Sequence, residues 1–251
     1  MRTFLFLILC FLFTACGTNG PSVSQNKAIS DALKTARLAD TLHHFDTVNC
    51  NNRKIVFTPI GNTEFDKTID TGFVPSFVDG DCALLLKQDA EFISTRDSTI
   101  FIRCANGKKV VLTEHTHCDG DLYIEYTYGG KLDHSPFILF KVGYDEKLDY
   151  LIINLNSGKQ IHTWGVPSLS PDAKYLISSS YDLDVGFLHN GIQAYRIGTD
   201  SLTFLWQQEF TTWGPEEVKW ADKRTLFIKQ ASPDQQNKME IVAYAKVKFD
   251  P

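Results

Sequence analysis

Two strand–turn–strand units some fifty residues apart constrain the fold of this chain more than any other feature. The first is Ser168-Leu169-Ser170-Pro171-Asp172-Ala173-Lys174-Tyr175-Leu176-Ile177-Ser178-Ser179; the second, looser, is Val218-Lys219-Trp220-Ala221-Asp222-Lys223-Arg224-Thr225-Leu226-Phe227-Ile228. Pro171 presets φ at about −65° for the turn, and Asp172 can bond its own backbone. Tyr175 and Ile177 then favour a strand. Leu176 and Leu226 stand 50 residues apart. Phe101-Ile102-Arg103-Cys104-Ala105-Asn106-Gly107-Lys108 matches Ile152-Ile153-Asn154-Leu155-Asn156-Ser157-Gly158-Lys159 at a separation of 51. A repeat of roughly 40 to 50 residues built of short strands is the period of a propeller blade.

The pattern of an apolar residue, Ser, Pro, Asp, a small residue, Lys, any residue and Leu resembles the repeat of bacterial β-propellers of the TolB and WD-repeat kind. Ala173 stands where those families usually place glycine. The resemblance covers about a third of the chain and implies a fold; it implies no activity.

The chain opens with Met1-Arg2-Thr3 and an apolar run from Phe4 to Phe13. One positive charge followed by about ten apolar residues is a secretory signal, and the run falls short of the roughly 20 residues that span a membrane. Phe13-Thr14-Ala15-Cys16 resembles the bacterial lipobox, with Phe13 in place of the usual leucine. The expectation is a signal peptide over residues 1–15 and acylation at Cys16, where more than one chain gives stable anchoring. Residues 16–26 are uncharged and rich in turn formers, which reads as a flexible tether. Its lack of an acidic run, by resemblance to other lipoproteins, favours a periplasm-facing position on the bacterial envelope. From Lys27 to Leu42 the apolar residues Ile29, Ala32, Leu33, Ala36, Ala39 and Leu42 recur at helical spacing, so a helix is expected over 27–45, with His43 and His44 at its end.

The β-rich domain is expected over 46–251. Candidate strands are Lys54 to Pro59, Cys82 to Lys87, Thr99 to Cys104, Lys109 to Glu114, Leu122 to Tyr128, Phe137 to Val142, Tyr150 to Leu155, Gln160 to Trp164, Tyr175 to Ser179, Gln193 to Ile197, Leu202 to Gln207, Val218 to Trp220, Thr225 to Lys229 and Met239 to Lys248. Turn signals such as Asn106-Gly107 and Asn156-Ser157-Gly158 join many of them. The expected fold is all-β and propeller-like, with four or five blades and the short N-terminal helix; the alternative is a two-sheet β-sandwich.

With 25 Lys and Arg against 30 Asp and Glu, the chain carries −5. Removing the signal takes away only Arg2, so the mature chain stays acidic with no basic run, which argues against nucleic acid as a partner and against electrostatic binding to a membrane beyond the lipid. Cys50, Cys82, Cys104 and Cys118 suit an oxidising compartment and two disulfides. Short loops close most readily, which favours Cys50 with Cys82 and Cys104 with Cys118; the close thiolate spacing of a zinc site is absent.

Three constellations could carry chemistry. His115 and His117 fall on one face of a strand in Glu114-His115-Thr116-His117-Cys118, a spacing that permits a metal ion without completing its ligand set. Asp79-Gly80-Asp81, Asp119-Gly120-Asp121 and Tyr181-Asp182-Leu183-Asp184-Val185-Gly186 could supply oxygen ligands to calcium but read first as turns. Among the aromatics, Tyr126, Tyr128, Trp164 and Trp213 are the candidates for contact with a ligand or partner, the two tryptophans because glycine follows each near a strand end, whereas Trp220 sits where the propeller repeat places a core residue. Catalytic and cofactor fingerprints are missing, so no cofactor is expected. The function expected is a lipid-anchored, periplasm-facing binding or scaffold module for an envelope protein or for a small-molecule or glycan ligand. The alternative is a hydrolase or carbohydrate-binding protein with a central pocket at one end of the β-domain. Convergent carboxylates and histidines at one end would favour that alternative; a flat aromatic patch would favour the binder.

Overall fold

The computed structural model describes residues 47–50, 53–72, 77, 81–115, 123–132, 135–144, 147–183, 185–233 and 239–249. The expected signal peptide over 1–15, the tether over 16–26, the helix over 27–45, Cys16, His117 and Cys118 lie outside these residues, as do the side chains of Cys50 and Cys82. Among the described residues no helix is long and apolar enough to cross a membrane.

Four antiparallel sheets account for most of the described chain. Strands β1 (Thr47–Cys50) and β2 (Arg53–Pro59) form a hairpin that adds to the far end of the sequence, in a sheet completed by β14 (Gly214–Trp220), β15 (Thr225–Pro233) and β16 (Met239–Lys248). β2 pairs with β16 through Phe57 and Val247, so the start and end of the domain close on each other. The remaining sheets are sequential meanders. The first holds β3 (Ile93–Arg96), β4 (Thr99–Arg103) and β5 (Lys109–Thr113). The second holds β6 (Glu125–Lys131), β7 (Phe137–Tyr144), β8 (Lys147–Asn154) and β9 (Gln160–Thr163). The third holds β10 (Pro167–Leu169), β11 (Tyr175–Ser180), β12 (Gly191–Ile197) and β13 (Leu202–Glu209). Short helices α1 (Asn62–Lys67) and α2 (Asp81–Gln88) precede β3. Four sheets replace the two that a sandwich requires.

Alternation along the strands decides how the sheets stack. In β7, Ile138, Phe140 and Val142 point into one core while Phe137 and Leu139 point into another. Both faces are therefore buried, and the strand reads as a nearly continuous apolar run. β8 repeats the division with Leu151 and Ile153 against Tyr150 and Ile152, and β11 with Tyr175 and Ile177 against Leu176. One core joins the β3–β5 sheet to the β6–β9 sheet, the next joins that sheet to β10–β13, and the third joins β10–β13 to the sheet that closes the domain. Each fully buried aliphatic or aromatic side chain in these layers contributes about 1.5–3 kcal/mol by leaving water.

The repeat spacings fall on corresponding pieces of structure. The unit at 168–179 spans β10, its turn and β11, while its echo at 218–228 spans β14, its turn and β15. The pair 101–108 and 152–159 covers the β4–β5 and β8–β9 turns. These two turns touch, the Ala105 N–H donating to the Leu155 carbonyl at 2.8 Å and Asn106 Nδ2 to the Ser157 carbonyl at 3.2 Å.

One expected strand is a helix. Cys82 to Lys87 lies in α2, where Ala83, Leu84, Leu85, Leu86, Lys87 and Gln88 are all good helix formers and no β-branched residue interrupts them. Leu85 and Leu86 pack on the core beneath β6 while Leu84 is exposed, so the leucine run that reads as strand is divided between the two sides of the helix.

Cys104 also departs from expectation: it is a free, buried thiol in the core between β4 and β8, its sulfur close to Gly158. Burial pushes its pKa up, opposed by the nearby Lys108 ammonium.

Candidate functional site

Hairpin register places the first half of the site. Leu151 of β8 faces His162 of β9, which brings Asp149 within reach of the imidazole. His162 Nδ1 lies 2.7 Å from Asp149 Oδ2. A carboxylate can only accept, so Nδ1 carries a proton toward Asp149 and Nε2 is the ring nitrogen left for other partners. Two residues beyond His162, Trp164 follows the same side of the chain. Its backbone N–H donates to Gln193 Oε1 at 3.0 Å, and Gln193 Nε2 donates to Gln207 Oε1 at 3.3 Å, which fixes the indole over the β10–β13 sheet.

The second half comes from the segment between β11 and β12. Asp182 organises it, its Oδ1 accepting from the N–H groups of Val185 at 3.2 Å and Gly186 at 2.9 Å and its Oδ2 from that of Leu188. Burial pushes the Asp182 pKa up, but four backbone donors, those of Leu188, Gly186, Val185 and Phe187, outweigh it and hold the carboxyl below its usual value. Gly186 sits at φ 73°, which suits the sharp turn there. Asn190 anchors the base of the segment, donating through Nδ2 to the carbonyls of Phe210 at 2.7 Å and Trp213 at 2.9 Å. His189 is thereby laid flat on Trp164, with ring centroids 4.4 Å apart and planes 18° apart. Its Nδ1 meets Glu209 Oε1 at 2.7 Å, a second imidazole–carboxylate pair. Gly191 is required at this approach, because a Cβ there would lie 2.1 Å from the Gln208 carbonyl oxygen and 2.9 Å from the Trp164 ring.

Between these halves opens a cleft of about 380 Å³. Tyr144, Lys147 and Asp149 line it from β7 and β8, His162 and Trp164 from β9 and just beyond, and Phe187 and His189 from the loop. Phe187 is 50% exposed, so its ring is open to a ligand. The cleft therefore offers aromatic groups flanked by two oriented imidazoles, the Asp149 carboxylate and the Lys147 ammonium, with Glu209 behind His189. Such a set can stack on a ring and exchange hydrogen bonds with hydroxyls around its edge. Among the described residues no group of three or more His, Cys, Asp or Glu side chains is placed to hold a metal ion.

The sequence-derived candidates separate sharply. Trp164 lines the cleft. Trp213 is fully buried, stacked on Phe210 at 3.8 Å and edge-on to Phe57, so it belongs to the core. The glycine after it marks crowding rather than a surface turn, since a Cβ at Gly214 would strike Asn190 Oδ1 at 2.1 Å. Tyr128 is buried with its hydroxyl donating to Asp89 Oδ2 at 2.7 Å. Tyr126 is half-buried, edge-on to Phe140, and burial together with the nearby Glu114 carboxylate raises its pKa. His115 is exposed, joined to Ile124 by a single backbone bridge. Trp220 lies in the core as read, its ring against Phe249 and Gly72. His162, His189 and Phe187 escaped the sequence reading. The first was within reach, since a histidine two residues before Trp164 on a strand shares its face; the others arrive through tertiary contacts alone.

Comparison with family models, with curated proteins and with solved structures gives no match.

Proposed function

We propose that this chain is a lipid-anchored, periplasm-facing binding module of the bacterial envelope, held at Cys16, and that the cleft around Trp164 takes a glycan ring. The observation that carries the reading is the convergence of Trp164, Phe187, the His162–Asp149 pair and His189 on one cleft of about 380 Å³, the volume of a small ligand. Pyranose recognition pairs an aromatic face for the C–H side of the ring with planar polar groups for its hydroxyls; the exposed Phe187 ring beside the Trp164–His189 stack offers the first and the imidazoles the second. The scaffold we propose is an open, propeller-like array of four blades. The 50-residue hairpin echo and the pairing of the first strands with β16 support it.

A second reading is favoured by Val185 and Phe187, 63% and 50% exposed on the same loop: an envelope protein docking there through apolar contact. Calorimetric titration of the purified chain with neutral oligosaccharides separates the two. Saturable binding that weakens at least tenfold in Trp164→Ala is the expected result. No heat with any glycan, alongside recovery of one envelope protein by in-cell crosslinking, would replace the glycan reading with the protein one.

A further inference from the structure

The β3–β5 sheet ends the row of sheets, and its outer face carries basic and apolar side chains. Ile100, Ile102, Val110 and Leu112 turn inward to the core. Strand alternation then sends Phe101, Arg103, Lys109 and Val111 outward, with Phe101 paired to Val111 and Arg103 to Lys109 in register. Arg96 joins them from β3, and Lys108 from the β4–β5 turn. Between Ile93 and Thr113 the chain has these four cations and one acid, Asp97, although the protein as a whole carries −5. Asp97 lies 3.8 Å from Arg96, and both are almost fully exposed. Val111 is 50% exposed, and the Lys109 ammonium lies 4.2 Å from the centre of the Phe101 ring. Beside them a groove of about 280 Å³ runs between Phe92, Ser94, Phe101, Arg103, Lys108 and Lys109.

We propose that this face docks on an anionic phospholipid surface, with a phosphate headgroup seated in the groove and Phe101 and Val111 at the headgroup–acyl boundary. The inference rests on the lipid-anchored reading above. Cations around an exposed Val111 and a half-buried Phe101 are the pattern of an interfacial contact, in which charge attracts the surface and apolar groups enter it. About 30 residues separate Cys16 from Thr47, a reach of at most ~3.5 Å per residue, so an anchored domain stays near the bilayer. Weak surface contacts then count, because the tether makes them intramolecular. Each cation near an anionic leaflet strengthens association roughly fivefold, and 1 M salt, with a screening length of about 3 Å, removes most of that.

The test uses the whole lipidated chain reconstituted in vesicles of phosphatidylcholine alone or with phosphatidylglycerol, with a photoreactive benzophenone amino acid replacing Val111. Lipid crosslinks in the phosphatidylglycerol vesicles, reduced at least tenfold in phosphatidylcholine, in 1 M salt and in the double variant Arg103→Glu/Lys109→Glu, are the expected result. Thermal unfolding of that variant verifies that exposed charge reversal leaves the fold intact, and Val111→Ser, read by lipid crosslinks from the same probe moved to Thr113, provides an independent loss. Protein that floats with the vesicles yet gives no lipid crosslink overturns the docking while leaving the anchor standing. Protein that fails to float overturns both, and crosslinks between copies of the chain instead of to lipid overturn the docking.

Discussion

Ala173 adopts φ 53° in the β10–β11 turn, a left-handed conformation that its Cβ resists, so Ala173→Gly is predicted to stabilise the protein. The surroundings hold the residue there. Its N–H donates to the Ser170 carbonyl at 2.8 Å, and Ser170 Oγ donates to Asp172 Oδ1 at 3.0 Å while accepting from the Tyr175 N–H at 3.0 Å. The left-handed region costs a non-glycine residue roughly 1–2 kcal/mol. Glycine relieves that strain but loses about 0.4–1 kcal/mol more backbone entropy on folding. The balance is a gain of about 0.5–1 kcal/mol, or ~1–4 °C in Tm for a domain of this size. Gly158→Ala is the mirror experiment. Gly158 has φ 72°, and a Cβ there would sit 3.2 Å from Cys104 Sγ and 3.3 Å from Val110 Cγ2, so strain and crowding add. That variant is expected to lose at least ~1–2 kcal/mol. Urea unfolding followed by circular dichroism reads both midpoints. A lower midpoint for Ala173→Gly at unchanged slope would refute the assignment of strain to this turn.

Trp220→Ala removes a fully buried indole packed on Phe249 and is expected to destabilise by about 3–5 kcal/mol, measured by urea midpoint. Trp164→Ala, by contrast, should leave the midpoint within about 1 kcal/mol while removing glycan heat, because the indole is half-buried at the cleft. Asp182→Ala strips the acceptor from three loop N–H groups and should weaken glycan binding and speed amide exchange at Val185, Gly186 and Leu188. The Asp222 carboxyl is held below its usual value, chiefly by the Arg224 N–H and, against an opposing burial effect, also by Thr225. Because its folded pKa is depressed, its contribution is present above about pH 4 and lost as pH falls through the folded value. Asp222→Asn keeps an acceptor without the charge, so the midpoint gap to wild type should close on acidification.

What was legible in the sequence was local. Ser170-Pro171-Asp172 specifies its turn through contacts within six residues, and the matched Gly107 and Gly158 announce left-handed positions that the structure contains at φ 81° and 72°. The run at Leu84 to Leu86 was ambiguous because a short apolar run fits a buried strand or a helical segment alike, and only the packing of Leu85 and Leu86 beneath β6 decides it. Trp213 and Trp164 share the same Trp-Gly signature, yet one glycine admits Asn190 into a core and the other lets the chain pass beneath Ser179 at the cleft. The His189–Glu209 pair joins residues 20 apart across the β12–β13 hairpin, so no spacing rule reveals it. Asp149 and His162 are nearer, 13 apart across the β8–β9 hairpin, but their pairing needed the strand register.

The most direct measurement is nuclear magnetic resonance of the full chain titrated with neutral oligosaccharides, following the Trp164 indole, the Phe187 ring and the His162 and His189 side chains. Saturable shifts confined to these groups, with Trp220 and Trp213 unmoved and the response lost in Trp164→Ala, are predicted. Glycan-induced shifts that lie elsewhere, or none at millimolar glycan, would contradict the cleft as the binding site.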